Sequence, residues 1–279
     1  MSVLLGLVVG VLTVRLLVGA AGDLLHAPAL QRANRDGRTV PTAMGMLAVL
    51  AVVLIEGGRS LFGAFGVGNA SADAPRVLVL LAVAGFGLLG LFDDFAGTHR
   101  EQGFRGHLGA LARGRVTTGV VKIGGGCALA VALVSVNRAD VAGGRIVADA
   151  LLVALAANLT NLFDRAPGRA IKVGLLAWIP IALIARGDSV GVAIAPVVGA
   201  FVGLLGDDLR EHLMLGDTGA NAIGAVLGLA VVLECSSVTR TVVLVVLVVL
   251  TFASELVSFS RVIERVAPLR KFDELGRGA

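Results

Sequence analysis

Six aspartates stand where long apolar stretches begin or end. Asp93 and Asp94 close one stretch in GLFDDFAG. Asp164 closes a second in NLTNLFDRAPGRA, and Asp207 and Asp208 close a third in GLLGDDLR. Asp217 opens a fourth in LMLGDTGANAIG. Taken singly, each carboxylate reads as a solvated cap, and Asp217 also suits the first turn of the helix that follows it. Drawn to one place, they repel one another unless a cation sits among them. Hard oxygen donors suit Mg²⁺, which keeps part of its water shell and binds substrate phosphates. Arg165 and Arg169 lie in the segment after Asp164, and a guanidinium group matches phosphate geometry. Carboxylates, a divalent cation and arginines at a membrane boundary would serve phosphoryl chemistry on a lipid. For most of the loop arginines a plainer reading stands beside this one: they set topology and touch anionic lipid.

The elements that must position these residues are apolar helices. The chain has 279 residues, of which 56% are hydrophobic and 16% charged; a soluble domain carries about a quarter charged residues. Runs of spanning length recur, and in lipid a helix satisfies its own backbone. The pattern predicts an all-α polytopic membrane protein with about nine spans, near 3–21, 43–56, 76–92, 117–136, 146–162, 172–185, 190–205, 219–234 and 239–259. The second and sixth are short and must extend into their flanks or tilt little. The first lacks a basic leader and carries Arg15 inside it, so it reads as a retained helix.

Loops 22–42, 93–116, 163–171, 206–218 and 260–279 hold most of the Arg and Lys. The positive-inside rule therefore places them in the cytoplasm, with the N-terminus outside and the C-terminus inside. All six aspartates then face the cytoplasm. Residues 1–279 read as one domain. Gly6 with Gly10, Gly199 with Gly203 and Gly224 with Gly228 have the spacing of close helix contacts. Cys127 and Cys235 have no metal-ligand spacing and read as packing residues. Arg15 and Glu255 stand among the charges inside spans, with a structural ion pair as the modest reading. The tail from Ser260 to Gly276 is amphipathic, with Val262, Ile263, Val266 and Leu269 apolar and a break expected at Pro268.

Four of these segments, in this order, resemble the polyprenyl-phosphate N-acetylhexosamine-1-phosphate transferase superfamily. GRTVPTAMGM resembles its first cytoplasmic loop and GLFDDFAG its DD motif. NLTNLFD matches an Asn-x-x-Asn-x-x-Asp pattern at Asn158, Asn161 and Asp164, and LGDTGANAIG matches a Gly-Asp-x-Gly segment. The resemblance covers nearly the whole chain and identifies it as a divergent member. It implies transfer of a sugar-1-phosphate from a UDP-sugar to polyprenyl phosphate at the cytoplasmic face of a bacterial membrane, with release of UMP. It implies Mg²⁺ as cofactor, Asp93, Asp94 and Asp217 as the catalytic acids, and Asp217, Asp94 and Asp208 as metal ligands. Asn158, Asn161, Asp164, Arg165, Gly216 and Lys122 would contact substrate. The partners implied are the lipid, the UDP-sugar and a second copy of the chain; nucleic acid is not expected.

The sequence also departs from the family. Where relatives carry Asp-Gly-x-Asp-Gly, this chain reads Asp164-Arg165-Ala166-Pro167-Gly168, so Pro167 replaces an acid. Asp164 or Asp208 is the expected substitute, and Arg165 or Arg169 the expected phosphate contact. The loop after the DD motif, GTHREQGFRGH, holds Arg100, Arg105, His99 and His107 where the muropeptide enzyme has lysines, so a muropeptide substrate is not expected. Two other readings remain open. One is a catalytically inactive relative acting as a membrane binding or scaffold protein. The other is a transporter, which would place its charges nearer the bilayer midplane.

Overall fold

A computed structural model describes residues 1–34, 37–68, 73–96, 109–114, 116–136, 138 and 141–277. The apolar runs form helices α1 (Val3–Ala20), α3 (Gly45–Ala64), α4 (Ala74–Ala96), α5 (Thr118–Ser135), α6 (Gly143–Phe163), α7 (Arg169–Ala185), α8 (Ser189–Leu209), α9 (Gly216–Glu234) and α10 (Ser237–Leu256). Eight of these are long and apolar enough to cross a membrane. The other, α7, has 17 residues and covers the sixth expected span. The second expected span reaches 20 residues as α3, extending into its C-terminal flank. The protein is thus an all-α polytopic membrane protein. Short α2 (Gly22–Leu25) follows α1, and α11 (Phe259–Arg265) and α12 (Ala267–Glu274) follow α10.

Helix starts are set by local chemistry. Thr117 Oγ1 accepts the Val120 N–H at 3.2 Å, Asp188 the Gly191 N–H at 2.9 Å, and Ser236 the Thr239 N–H at 3.2 Å. Each satisfies one amide that the first turn leaves open.

Helix α9 lies at the centre. It packs most extensively on α4 and α6, with α3, α7 and α8 around it, while α1 lies along α8. Small residues allow these approaches. A Cβ on Gly10 would stand 2.3 Å from the Pro196 carbonyl oxygen, and one on Gly199 2.2 Å from that of Leu7. Gly224 and Gly228 meet α6 in the same way. Helix α10, by contrast, packs along α6 and buries only Leu247.

One element lies outside the expected pattern. Strands β1 (Gln31–Ala33) and β2 (Thr39–Pro41) form an antiparallel hairpin, pairing Arg32 with Val40. The segment after it is stitched to the loop before α9. Pro41 O accepts the Met214 N–H at 2.8 Å, and Gly45 N–H donates to Leu215 O at 2.9 Å. The hairpin thereby braces the end of the bundle that carries the acids.

Arg15 does not pair with Glu255. Its guanidinium donates to Asp207 and, at 3.3 Å, to the Gly203 carbonyl on α8. The α1–α8 contact brings these groups together, whereas Glu255 lies on α10.

Candidate active site

The last turn of α4 and the first turn of α9 meet where Gly90 gives room. A Cβ at Gly90 would stand 2.3 Å from the Asp217 carbonyl oxygen. The approach lets Asp94 reach across. Its carboxylate accepts the N–H groups of Asp217 and Thr218, each at 3.0 Å, and the Thr218 hydroxyl at 2.6 Å. Asp94 therefore caps α9 from another helix, with its charge at the positive end of the helix dipole. Gly216 has φ of +73° and a Cβ there would meet Asp94 at 2.8 Å, so it serves this junction directly.

Asp93 and Asp217 converge on one cation. Lys122, in the second turn of α5, donates to Asp93 Oδ2 at 2.9 Å and to Asp217 Oδ2 at 2.5 Å. Thr118 hydrogen-bonds Asp93, and Asn161 hydrogen-bonds Asp217. The Asn161 amide also donates to Asn221 Oδ1 at 3.2 Å. Asn158 lies three residues before Asn161, on the same side of α6. Asn221 is buried, and its own Nδ2 has no acceptor among the described residues. Sequence reasoning missed Asn221 and Thr218. The available signal was an amide placed four residues after Asp217, on the same helix face.

Asp164 ends α6 and accepts the Gly216 N–H. Burial, together with the carboxylates of Asp208, Asp217 and Asp94, pushes its carboxyl well above the usual range. Asp208 is buried and accepts the Gly168 N–H at 2.9 Å and the Leu215 N–H at 3.3 Å. It joins the loop after α6 to the loop before α9.

The two expected phosphate arginines separate. Arg169 is buried, and its guanidinium forks onto Asp273 of α12 with two bonds of 2.8 Å and onto Ser260 Oγ at 2.8 Å. Lys172 donates to the Asp273 carbonyl at 2.7 Å, and Arg277 donates to the Pro167 carbonyl at 3.0 Å. The C-terminal segment thus covers the stretch in which Pro167 stands. Arg165 is exposed instead and lines a cleft of about 470 Å³ with Leu162, Ser254, Ser258, Phe259 and Glu264. The loop holding His99, Arg100, Arg105 and His107 lies outside the described residues.

Asp94 and Asp208, expected as metal ligands, spend their oxygens on backbone amides. Among the described residues no three His, Cys, Asp or Glu side chains gather as one chelating group. Two carboxylates nevertheless meet at a single positive charge. Mg²⁺ is commonly held by one or two protein carboxylates, with phosphates and water completing its shell. Asp93 and Asp217 are donors of the right kind and number for that.

These features define a polytopic membrane protein with a charged site assembled from helix ends. Three curated relatives, each called phospho-N-acetylmuramoyl-pentapeptide-transferase, bear on its lineage. The chain is 30% identical to that of Deinococcus radiodurans over 67% of its own length, but spans only 59% of that relative. It is 30% identical to that of Desulforudis audaxviator, covering 74% of this chain and 68% of the relative. It is 28% identical to that of Desulforamulus reducens, covering 98% and 85%. No protein-family model matches the chain. The chain belongs to the polyprenyl-phosphate N-acetylhexosamine-1-phosphate transferase superfamily, as a divergent relative of the phospho-N-acetylmuramoyl-pentapeptide transferases.

Proposed function

We propose that this protein transfers a sugar-1-phosphate from a UDP-sugar to polyprenyl phosphate at the cytoplasmic face of a bacterial membrane, releasing UMP. The observation that carries the reading is Lys122 held between Asp93 and Asp217, in a chain of this family. In the reaction, an oxygen of the lipid phosphate forms a bond to the β-phosphorus of the UDP-sugar. The bond from that phosphorus to the oxygen bridging the α-phosphate breaks, and UMP leaves with that oxygen. A phosphate monoester is largely ionised near neutrality, so its attack needs no obligatory base. Positioning and charge neutralisation are then the main requirements.

Asp93 and Asp217 would hold Mg²⁺, which when bound supplies Lewis-acid neutralisation of the diphosphate. Lys122 adds a positive charge beside the diphosphate. Asn161 and Asn221 offer amide groups to its oxygens, and the unmatched Nδ2 of Asn221 supports that role. Asp94 holds the first turn of α9, and with it Asp217, in place. Arg165 and the serine hydroxyls of its cleft would receive the lipid phosphate at the edge of α6 and α10.

The test is an assay of purified protein with Mg²⁺, undecaprenyl phosphate and a panel of UDP-sugars, including the muramoyl-pentapeptide. UMP release dependent on one sugar nucleotide supports the proposal. No release with any of them favours the second reading, a non-catalytic membrane binding protein. The specific observation behind that reading is Pro167, whose carbonyl accepts from Arg277 at the place where the family pattern implied by the resemblance has an acid.

A further inference from the structure

Helix α6 carries Asp164 beyond one end and Asp149 near the other, so Asp149 belongs to the membrane face opposite the acids. Asp149 is fully buried and meets three guanidinium groups. Arg138 donates to it at 2.7 Å and Arg240 at 2.6 Å, and Arg145 donates as well. One carboxylate cannot neutralise three arginines. The neighbouring Glu234 hydrogen-bonds Asp188 instead. Among the described residues the cluster therefore keeps a surplus of positive charge where the hydrocarbon region ends.

Two further observations bear on that surplus. The Nε–H groups of Arg145 and Arg240 are buried and have no acceptor among the described residues. Buried donors of this kind nearly always have partners. Beside Arg240 opens a cleft of about 280 Å³, lined by Arg138 and Arg240 at its polar end and by Leu78, Leu133, Val136 and Leu233 elsewhere. The cleft is amphiphilic in shape and chemistry.

We propose that the Arg138–Arg145–Arg240 cluster and its cleft bind an anionic phospholipid, with the headgroup phosphate on the guanidinium groups of Arg138 and Arg240, which line the cleft, and an acyl chain along the apolar wall. Charge complementarity selects the headgroup, since guanidinium pairs with phosphate by charge-assisted bonds. The apolar lining selects a lipid over a free anion, which would leave that wall unfilled. The site is separate from the Asp93–Asp217 centre and does not depend on the reading given to it.

The test is native mass spectrometry of the purified full chain, released from detergent after incubation with phosphatidylglycerol, phosphatidylcholine or inorganic phosphate. The wild type should retain phosphatidylglycerol over phosphatidylcholine, and excess inorganic phosphate should not displace it. In the double variant Arg138→Gln, Arg240→Gln, retention should fall about tenfold, the scale of losing charge-assisted contacts. Val136→Trp fills the cleft from a residue that is 42% exposed, so the fold tolerates it, and retention should fall there too. Equal retention of both lipids overturns the proposal. So does displacement by inorganic phosphate, which marks a free-anion site, or undiminished retention in the Val136→Trp variant.

Discussion

Asp94 and the amide it caps, Asp217 N–H, are 123 residues apart in the chain. The sequence marks both residues as acids at helix ends. It does not reveal that one is the cap of the other's helix, because that follows from a crossing made possible at Gly90. The same holds for Lys122: the resemblance marks it as a substrate contact, but that it bridges Asp93 and Asp217 follows only from the packing of α5 on α4. The distinction has consequences for mutation. Asp217→Asn should lower UMP release by about a hundredfold or more, the scale of losing a group that stabilises transition-state charge, with the melting temperature little changed. Asp94→Asn keeps one oxygen acceptor, turns an NH2 group toward the remaining donors and loses the charge on the α9 dipole, and should cost about 1–3 kcal/mol of stability, read by thermal melting in detergent. Asp208→Asn now separates from Asp217→Asn. Its oxygens join two loops, so the variant should lower stability by about 1–3 kcal/mol through an unmatched buried amide, and should lose less turnover than Asp217→Asn.

At the scale of elements, the helical spans were legible because apolar run length is a direct demand of the bilayer. The break in the tail was legible too: Val266 is extended between α11 and α12, with Pro268 in the first turn of the second helix. What the tail rests on was not legible. The amphipathic pattern points to the membrane surface, and Val266 and Leu269 are indeed exposed, but Asp273 turns inward to Arg169, 104 residues away. Burial alone would push the Asp273 carboxyl up. The hydrogen bonds and charge of Arg169, joined by Arg277, outweigh it and hold the carboxyl below its usual range. A lowered folded value means that the pairing contributes fully above the ordinary carboxylate range and is lost as pH falls through the lowered value. Protease cleavage of the tail should accordingly rise only in acid, below about pH 4, with an acid-tolerant protease as the probe. Asp273→Asn should make the tail cleavable at neutral pH, since it leaves Arg169 buried without its charge partner.

For the whole molecule, the acids gather at one end and the Asp149 cluster lies at the other, so orientation decides which chemistry faces the cytoplasm. The proposed orientation is checked by single cysteines placed after replacing Cys127 and Cys235. A cysteine at Lys271 should react with an impermeant maleimide only in opened cells, and one at Val67 in intact cells. The reverse pattern would place the acid cluster outside, away from any cytoplasmic sugar nucleotide. Helix α10 adds a different consequence. It is 20 residues long, about 30 Å at 1.5 Å per residue, and buries little beyond Leu247, while Leu256 at its end is 86% exposed. Lipid, more than protein, is therefore the medium that aligns it. Bilayer thickness sets the tilt of such a helix, and its last turn supplies Ser254 to the cleft beside Arg165. In vesicles of graded acyl length, the width of that cleft should follow the membrane, making acyl-chain length a physical control on access to the site.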